Sequence, residues 1–251
     1  MSGTQERFGK KGSGYFNRFY TNELARDEFS LPDLYMSRLL LNSLRPLGID
    51  PLTARTNPQL RILSEKHTEA IAFFEKKDIP YTEKMMIIHP MSLWKYKEWT
   101  MDGWRQLIQY INPKGFYVVL TGDKADAERC NQLLEGIGEN ACSIAGETPL
   151  DLLPAILSYA RIAMGVDTMT MHMARAVNVP TATIFGPSLP QYWVPVNDPM
   201  QLVILPEKEC VPCGEKGCDG DDVSDCLNEL APQTVWKQLT NWTVFENEVV
   251  S

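Results

Sequence analysis

The sequence predicts an α/β protein built on a Rossmann-like, doubly wound parallel sheet, and three observations carry that prediction. Between residues 85 and 186, short apolar runs alternate with amphipathic ones through short connections. Strands separated in this way by helices pair in parallel and carry helices on both faces. The apolar runs are continuous rather than alternating, which suits strands buried on both sides. Polar residues gather directly after several of these runs, at the sheet edge where such folds bind ligands.

Residues 1–30 read as poorly structured, with extended pieces at 15–20. From residue 31 the spacing of Leu34, Leu39, Leu40, Leu41 and Leu44 suits an amphipathic helix, with Pro32 in its first turn and Gly48 placed to end it. Residues 60–63 read as a short strand. Ser64 then caps a helix with Ala70, Ile71 and Phe74 on one face. Lys76, Lys77 and Asp78 close it, with the cations near its carboxyl end. In the regular part, strands are predicted at 85–90, 116–122, 141–146, 162–166 and 181–186, and helices at 101–111, 124–138, 149–160 and 170–179. A last segment, 232–245, sets Val235, Leu239 and Trp242 on one helical face.

A chain of 251 residues holds one large domain or a domain and a half. With 44% hydrophobic and 22% charged residues it has a globular composition, and it contains no apolar run long enough to span a bilayer. Its first thirty residues lack the apolar stretch of a secretory signal. A net charge of −8 argues against a nucleic-acid partner, so any anionic ligand must be held by local groups. The run RFGKKGSGYFNRF is a basic exception, read either as a solvated tail or as a contact for an anionic membrane surface or acceptor.

Three strand ends carry polar chemistry: HPMSLWKYKEW, TGDKAD and DTMTMH. Each is weak evidence alone, because a strand-to-helix turn needs capping residues anyway. On one sheet edge, however, they bring Ser92, Lys95, Lys97, Asp126, Asp167, Thr168, Thr170 and His172 to a single crevice. A helix beginning near Thr168 points unpaired N–H groups outward and attracts phosphate. Thr168 and Thr170 add hydroxyls, Lys97 adds a full positive charge, and Asp126 is placed to accept from ribose hydroxyls. That combination describes a nucleotide diphosphate site. The plainer alternatives are that Asp167 and Thr168 merely cap a helix, that Asp126 merely starts one, that His172 packs, and that Lys97 is solvated. His89 reads as a buried strand-end residue bonded to a neighbouring loop.

Cys210, Cys213, Cys218 and Cys226 follow the spacing C-x2-C-x4-C-x7-C in a loop rich in Gly and Asp, whereas Cys130 and Cys142 fall within the sheet unit. Without a secretion signal, four clustered cysteines favour a structural zinc or iron ion over reduced thiols or disulfides. The acidic flank DGDD raises thiol pKa values and argues against a catalytic redox role.

Taken in order and spacing, HPMSLWKYKEW, VVLTGDKADAER, the run from IAGETPLDLL to TIFGPS, and CVPCGEKGCDGDDVSDCL resemble the carboxyl-terminal half of glycosyltransferase family 9, the lipopolysaccharide heptosyltransferases. The resemblance runs from about residue 84 to the chain end. It implies the GT-B arrangement of two facing Rossmann-like domains and chemistry without a metal. It also implies an ADP-heptose-type donor and a saccharide or lipid-linked saccharide acceptor. Residue by residue, Lys97 matches the family's donor-phosphate lysine and Asp126 its ribose-side acid. Asp167, Thr168 and His172 match the donor-binding DTGxxH motif, in which Met169 stands where the family has glycine; Met91 likewise replaces a glycine. The resemblance includes the four cysteines, as a loop beside the donor site.

Nothing in the chain matches the family's glycine-rich GDxxxxxP turn with its catalytic aspartate, so the catalytic base is not identified. Residues 7–50 resemble the last part of the family's first domain, and the chain reads as a fragment or natural truncation. The expected organisation is therefore a remnant of the acceptor-side domain at 1–80, a donor domain at 81–231 with the cysteine loop at 210–226, and a carboxyl-terminal helix at 232–251 packing back on the first domain. The expected setting is cytoplasmic, peripheral at the inner face of the inner membrane, with self-association through surface the shortened first domain leaves exposed. The competing readings are a catalytically silent donor-binding or scaffold module, and a redox or metal-sensing protein built on the cysteines.

Overall fold

The computed structural model describes residues 8–10, 22–24, 34–81 and 84–250. The chain divides into two compact units, residues 1–58 with 191–196 and residues 59–190 with 197–251.

In the smaller unit, strand β1 (Phe8–Lys10) pairs in parallel with β2 (Asn22–Leu24). The helix expected from residue 31 is α1 (Met36–Asn42), followed by a 3-10 turn that ends at Gly48 with φ of 82°. No residue of α1 is buried, and Leu34 and Leu40 are exposed. Pro32, the extended pieces at 15–20 and most of the basic run lie outside the described residues.

The larger unit opens with residues 60–63, which do not form the expected strand. A single backbone bond, Leu60 N–H to Ala176 O, replaces a ladder, and Leu60 and Leu63 are exposed. Helix α2 (Ser64–Lys76) buries Ala70 and Phe74; Leu63 occupies its cap position and no side chain completes the cap. The alternation then follows as β3 (Met85–His89), α3 (Met101–Ile111), β4 (Tyr117–Leu120), α4 (Ala127–Leu134), β5 (Ala141–Ser143), α5 (Leu153–Leu157), β6 (Ile162–Val166), α6 (Met169–Ala176) and β7 (Thr181–Ile184). Beyond it lie α7 (Pro190–Trp193), whose residues 191–193 belong to the smaller unit, and, in the larger unit, a further strand β8 (Gln201–Ile204), α8 (Asp225–Asn228), α9 (Pro232–Thr240) and α10 (Thr243–Val250).

Six strands form one sheet in the order β5-β4-β3-β6-β7-β8, and every neighbouring pair is parallel. The chain leaves β3 towards β4 and β5, then crosses back to place β6 on the other side of β3. The β3/β6 junction is therefore the topological switch point, where the loops after two adjacent strands diverge and leave a crevice.

Successive strand residues point to opposite faces, and β3 divides its side chains accordingly. Met86 and Ile88 pack with Trp104, Leu107 and Ile111 of α3, and Met85 and Ile87 with Phe74 of α2 and Met171 of α6. The carboxyl-terminal segment belongs to the first of these faces. Val235, Leu239, Trp242 and Phe245 are buried there with α3 and the sheet, and the segment belongs to the larger unit.

Candidate functional site

The loops that follow β3 and β6 meet at the switch point. Lys97, in a 3-10 turn after β3, places its Nζ 2.6 Å from Oδ2 of Asp167, the first residue after β6. Asp167 is buried and Lys97 partly so. A pair withdrawn from water in this way is screened far less than a surface pair.

Thr168 holds the cap position of α6 in an extended conformation, φ −140°, yet its side chain makes no capping bond. Its Oγ1 is buried without a hydrogen-bond partner. An unpaired buried hydroxyl costs free energy. Here it lies beside the outward-pointing amides of a helix start and close to a lysine pair, an arrangement that suits an anionic oxygen. Thr170 is buried, and Met169 is 53% exposed at the mouth of the site.

His172, one turn into α6, sets Nε2 4.0 Å from Oδ1 of Asp167. Burial pushes its pKa down, and the charges of Arg175 and Lys97 add to that shift against the pull of Asp167. The ring is therefore neutral at pH 7. His89 is more strongly affected: burial pushes it down to about 4, and its Nδ1 lies 3.0 Å from Thr121 Oγ1 at the end of β4.

The remaining sequence candidates are tied into local structure. Ser92 donates its backbone N–H to Glu98 Oε1 at 3.0 Å, and its Oγ accepts from Trp94 N–H at 3.1 Å. Lys95 pairs with Glu98 at 3.2 Å. Asp126 turns inward, its Oδ2 accepting from the Asp123 N–H at 3.0 Å, and burial raises its pKa. The two methionines at the family's glycine positions both have φ outside the left-handed region. Met91 is buried in the core with Trp99 and Trp104.

Sequence reasoning missed Glu98 and Arg129. Arg129 of α4 grips the Glu98 carboxylate through both of its terminal nitrogens, at 3.0 and 2.6 Å. The only local signal was an acidic residue set among aromatics and lysines in KYKEW.

In the cysteine loop, Cys210 and Cys213 are exposed, Cys218 is intermediate and Cys226 is buried. Burial pushes the Cys226 thiol up to about 11, and the charges of Cys218, Cys210 and Cys213 push in the same direction. Among the described residues, however, no three His, Cys, Asp or Glu side chains are arranged to hold a metal ion. As placed, the four thiols do not fit a tetrathiolate ion.

A profile of glycosyltransferase family 9 (heptosyltransferase) matches residues 7–223. The chain belongs to glycosyltransferase family 9. Among curated family members, lipopolysaccharide heptosyltransferase 3 of Escherichia coli is 28% identical over 163 residues, covering 64% of this chain and 47% of that protein. The chain thus spans about half the length of the curated relatives it matches. Among solved structures, Escherichia coli ADP-heptose lipopolysaccharide heptosyltransferase II superposes with a TM-score of 0.74 at 21% identity, over 98% of this chain and 72% of that one. The iron-containing dodecameric glycosyltransferase TibC of enterotoxigenic Escherichia coli matches at TM-score 0.55 and 16% identity, over 81% of this chain and 52% of that one. Identities this low speak for the fold, and the parallel sheet agrees with the α/β class read from the sequence.

Proposed function

We propose that this family 9 chain binds a nucleotide-diphosphate sugar of the ADP-heptose type and takes part in transferring the sugar to a lipopolysaccharide-core or other saccharide acceptor. The observation that carries this reading is the Lys97–Asp167 pair at the switch point, beside the uncapped start of α6 and the unpaired Thr168 hydroxyl. When the glycosidic bond breaks, negative charge grows on the diphosphate leaving group. Lys97, the first amides of α6 and Thr168 Oγ1 would then stabilise it with donors already in place. Asp167 holds the ammonium at this spot in the free protein, and a bound diphosphate would share it.

The reading assigns the donor to Ser92, Lys97, Asp126, Asp167, Thr168, Met169, Thr170 and His172. Lys97 is its central cation and Asp126 its most peripheral member. It sets the protein on the cytoplasmic side, acting on a lipid-linked acceptor at the inner face of the membrane; no described helix is long and apolar enough to cross a membrane. Self-association, and a structural ion in the cysteine loop, belong to the same reading; the loop would have to close for its thiols to share zinc or iron. A second reading, a donor-binding module without its own base, is favoured by one observation. Glu98, Asp123, Asp126 and Asp167, carboxylates in the loops at this edge, each already accept a hydrogen bond.

Calorimetric titration with ADP and with ADP-heptose, on wild type and Lys97→Ala, tests the proposal. Loss of one charge-assisted contact is worth about 1.5–3 kcal/mol, so the substitution is expected to weaken binding roughly ten- to hundredfold. Equal affinity in the two proteins would remove Lys97 from the donor site, and no binding at millimolar concentration would remove the donor itself.

A further inference from the structure

The loop that delivers Lys97 is held by a residue outside the donor set. Residues 92–98 leave the sheet as SLWKYKE and return to α3. Within the loop, Lys97 N–H bonds to Trp94 O and Glu98 N–H to Lys95 O, which forms the 3-10 turn. Ser224 Oγ donates to Tyr96 O at 2.7 Å and pins the back of that turn. These bonds shape the turn, but they do not join its two ends.

Glu98 does join them. Its side chain is only 7% exposed, and its two oxygens accept from three sources: the Ser92 N–H, Lys95 Nζ, and both terminal nitrogens of Arg129. The Ser92 bond closes the loop into a ring. The arginine fork fastens that ring to α4, an element that starts after a different strand. A planar fork meeting a carboxylate fixes orientation as well as distance. Glu98 therefore sits between an anchor in α4 and, one residue earlier, the lysine whose ammonium reaches Asp167. Burial alone would raise the Glu98 pKa, but the bonds from Arg129 and Ser92 outweigh it and hold the carboxyl below its ordinary value. The clasp is thus ionised at neutral pH.

We propose that Glu98, gripped by Arg129, is a positioning residue that sets where Lys97 presents its ammonium to the donor diphosphate. This rests on the donor reading given above. Glu98 touches neither the Lys97 ammonium nor Asp167, and acts through the backbone of the loop it closes. Glu98→Gln keeps the shape and the acceptor for Ser92, but it turns an amide N–H towards an arginine nitrogen and removes the charge.

The test is a double-mutant cycle on ADP affinity with wild type, Glu98→Gln, Lys97→Ala and the double variant. Glu98→Gln is expected to weaken ADP about tenfold, the scale of one charge-assisted bond, and to have no further effect once Lys97 is gone. A residue that only supports the fold would weaken binding by the same factor in both backgrounds, and that result overturns the proposal, as does unchanged affinity in Glu98→Gln. Should Glu98→Gln not fold, Arg129→Lys takes its place in the same cycle, since it keeps the charge and loses the fork. Amide hydrogen exchange separates the clasp from the donor reading. Exchange at Ser92 is expected to quicken at least about tenfold in Glu98→Ala, which removes the acceptor, while α3 is unchanged, as loss of a bond that closes a local unit predicts. Unchanged exchange overturns the clasp even if ADP binds. Failure of wild type to bind ADP overturns the donor reading, and with it the role proposed for Glu98.

Discussion

Gly165 lies in β6 at the switch point, directly opposite His89 of β3 and two residues before Asp167. A Cβ added there would meet the His89 carbonyl oxygen at 2.6 Å and Met171 Sδ at 2.9 Å. The sulfur ends a flexible side chain and can turn aside. The carbonyl belongs to the neighbouring strand and moves only if β3 and β6 separate. Gly165→Ala is therefore an overpacking substitution in a well-filled interior, with a cost of about 1–3 kcal/mol. For a chain of this size that corresponds to a fall of roughly 3–10 °C in Tm. The same displacement moves Asp167 relative to Lys97, so ADP affinity should fall together with stability. Thermal unfolding followed by circular dichroism, with calorimetric ADP titration on the same samples, measures both. A Tm within about 1 °C of wild type would refute the argument that this glycine exists for the close approach of two strands.

Two further predictions concern protonation and thiol chemistry. His89 is pushed by burial down to about 4, so between pH 6.5 and 4 the unfolded chain holds a proton that the folded chain does not. Stability then falls as pH falls through this window. Urea titrations should show wild type losing about 1.6 kcal/mol more than His89→Gln between pH 6.5 and 5, less than the limiting value of about 1.4 kcal/mol per pH unit because the unfolded ring is only half protonated at pH 6.5; equal losses would show that the ring titrates normally. In a thiol-reagent assay the exposed Cys210 and Cys213 should react quickly in the native protein. Cys130 and Cys226, whose thiols burial pushes up to about 12 and about 11, should react only after denaturation. Fast native labelling of Cys226, identified by mass mapping, would contradict its placement.

The strand–helix alternation was legible because it is a local property. Whether a run such as MMIIH is buried on both faces depends on its own composition, and β3, α3 and β6 appear almost where the apolar runs place them. Strand β8 was missed because it lies at the sheet edge, where three of its four residues are only partly buried and the apolar signal is correspondingly weak. Residues 60–63 have the composition of a strand but no neighbour to pair with. The segment after residue 232 reads correctly as amphipathic, yet an apolar face does not specify what it will meet, and here it meets α3.

The site divides in the same way. The sequence by itself placed Lys97, Asp167, Thr168 and His172 on one edge, because in a parallel sheet every strand end points there. It also marked the residue types that suit a phosphate. Only the tertiary structure decided which of them touch. Lys97 and Asp167 lie 70 residues apart, and Glu98 and Arg129 lie 31 apart. Both pairs meet because the crossover from β5 lays β6 beside β3 and because α4 packs close to the loop after β3. Local composition determines what each segment is; contacts between distant segments follow from the order in which the strands pair, and no periodicity along the chain records that order.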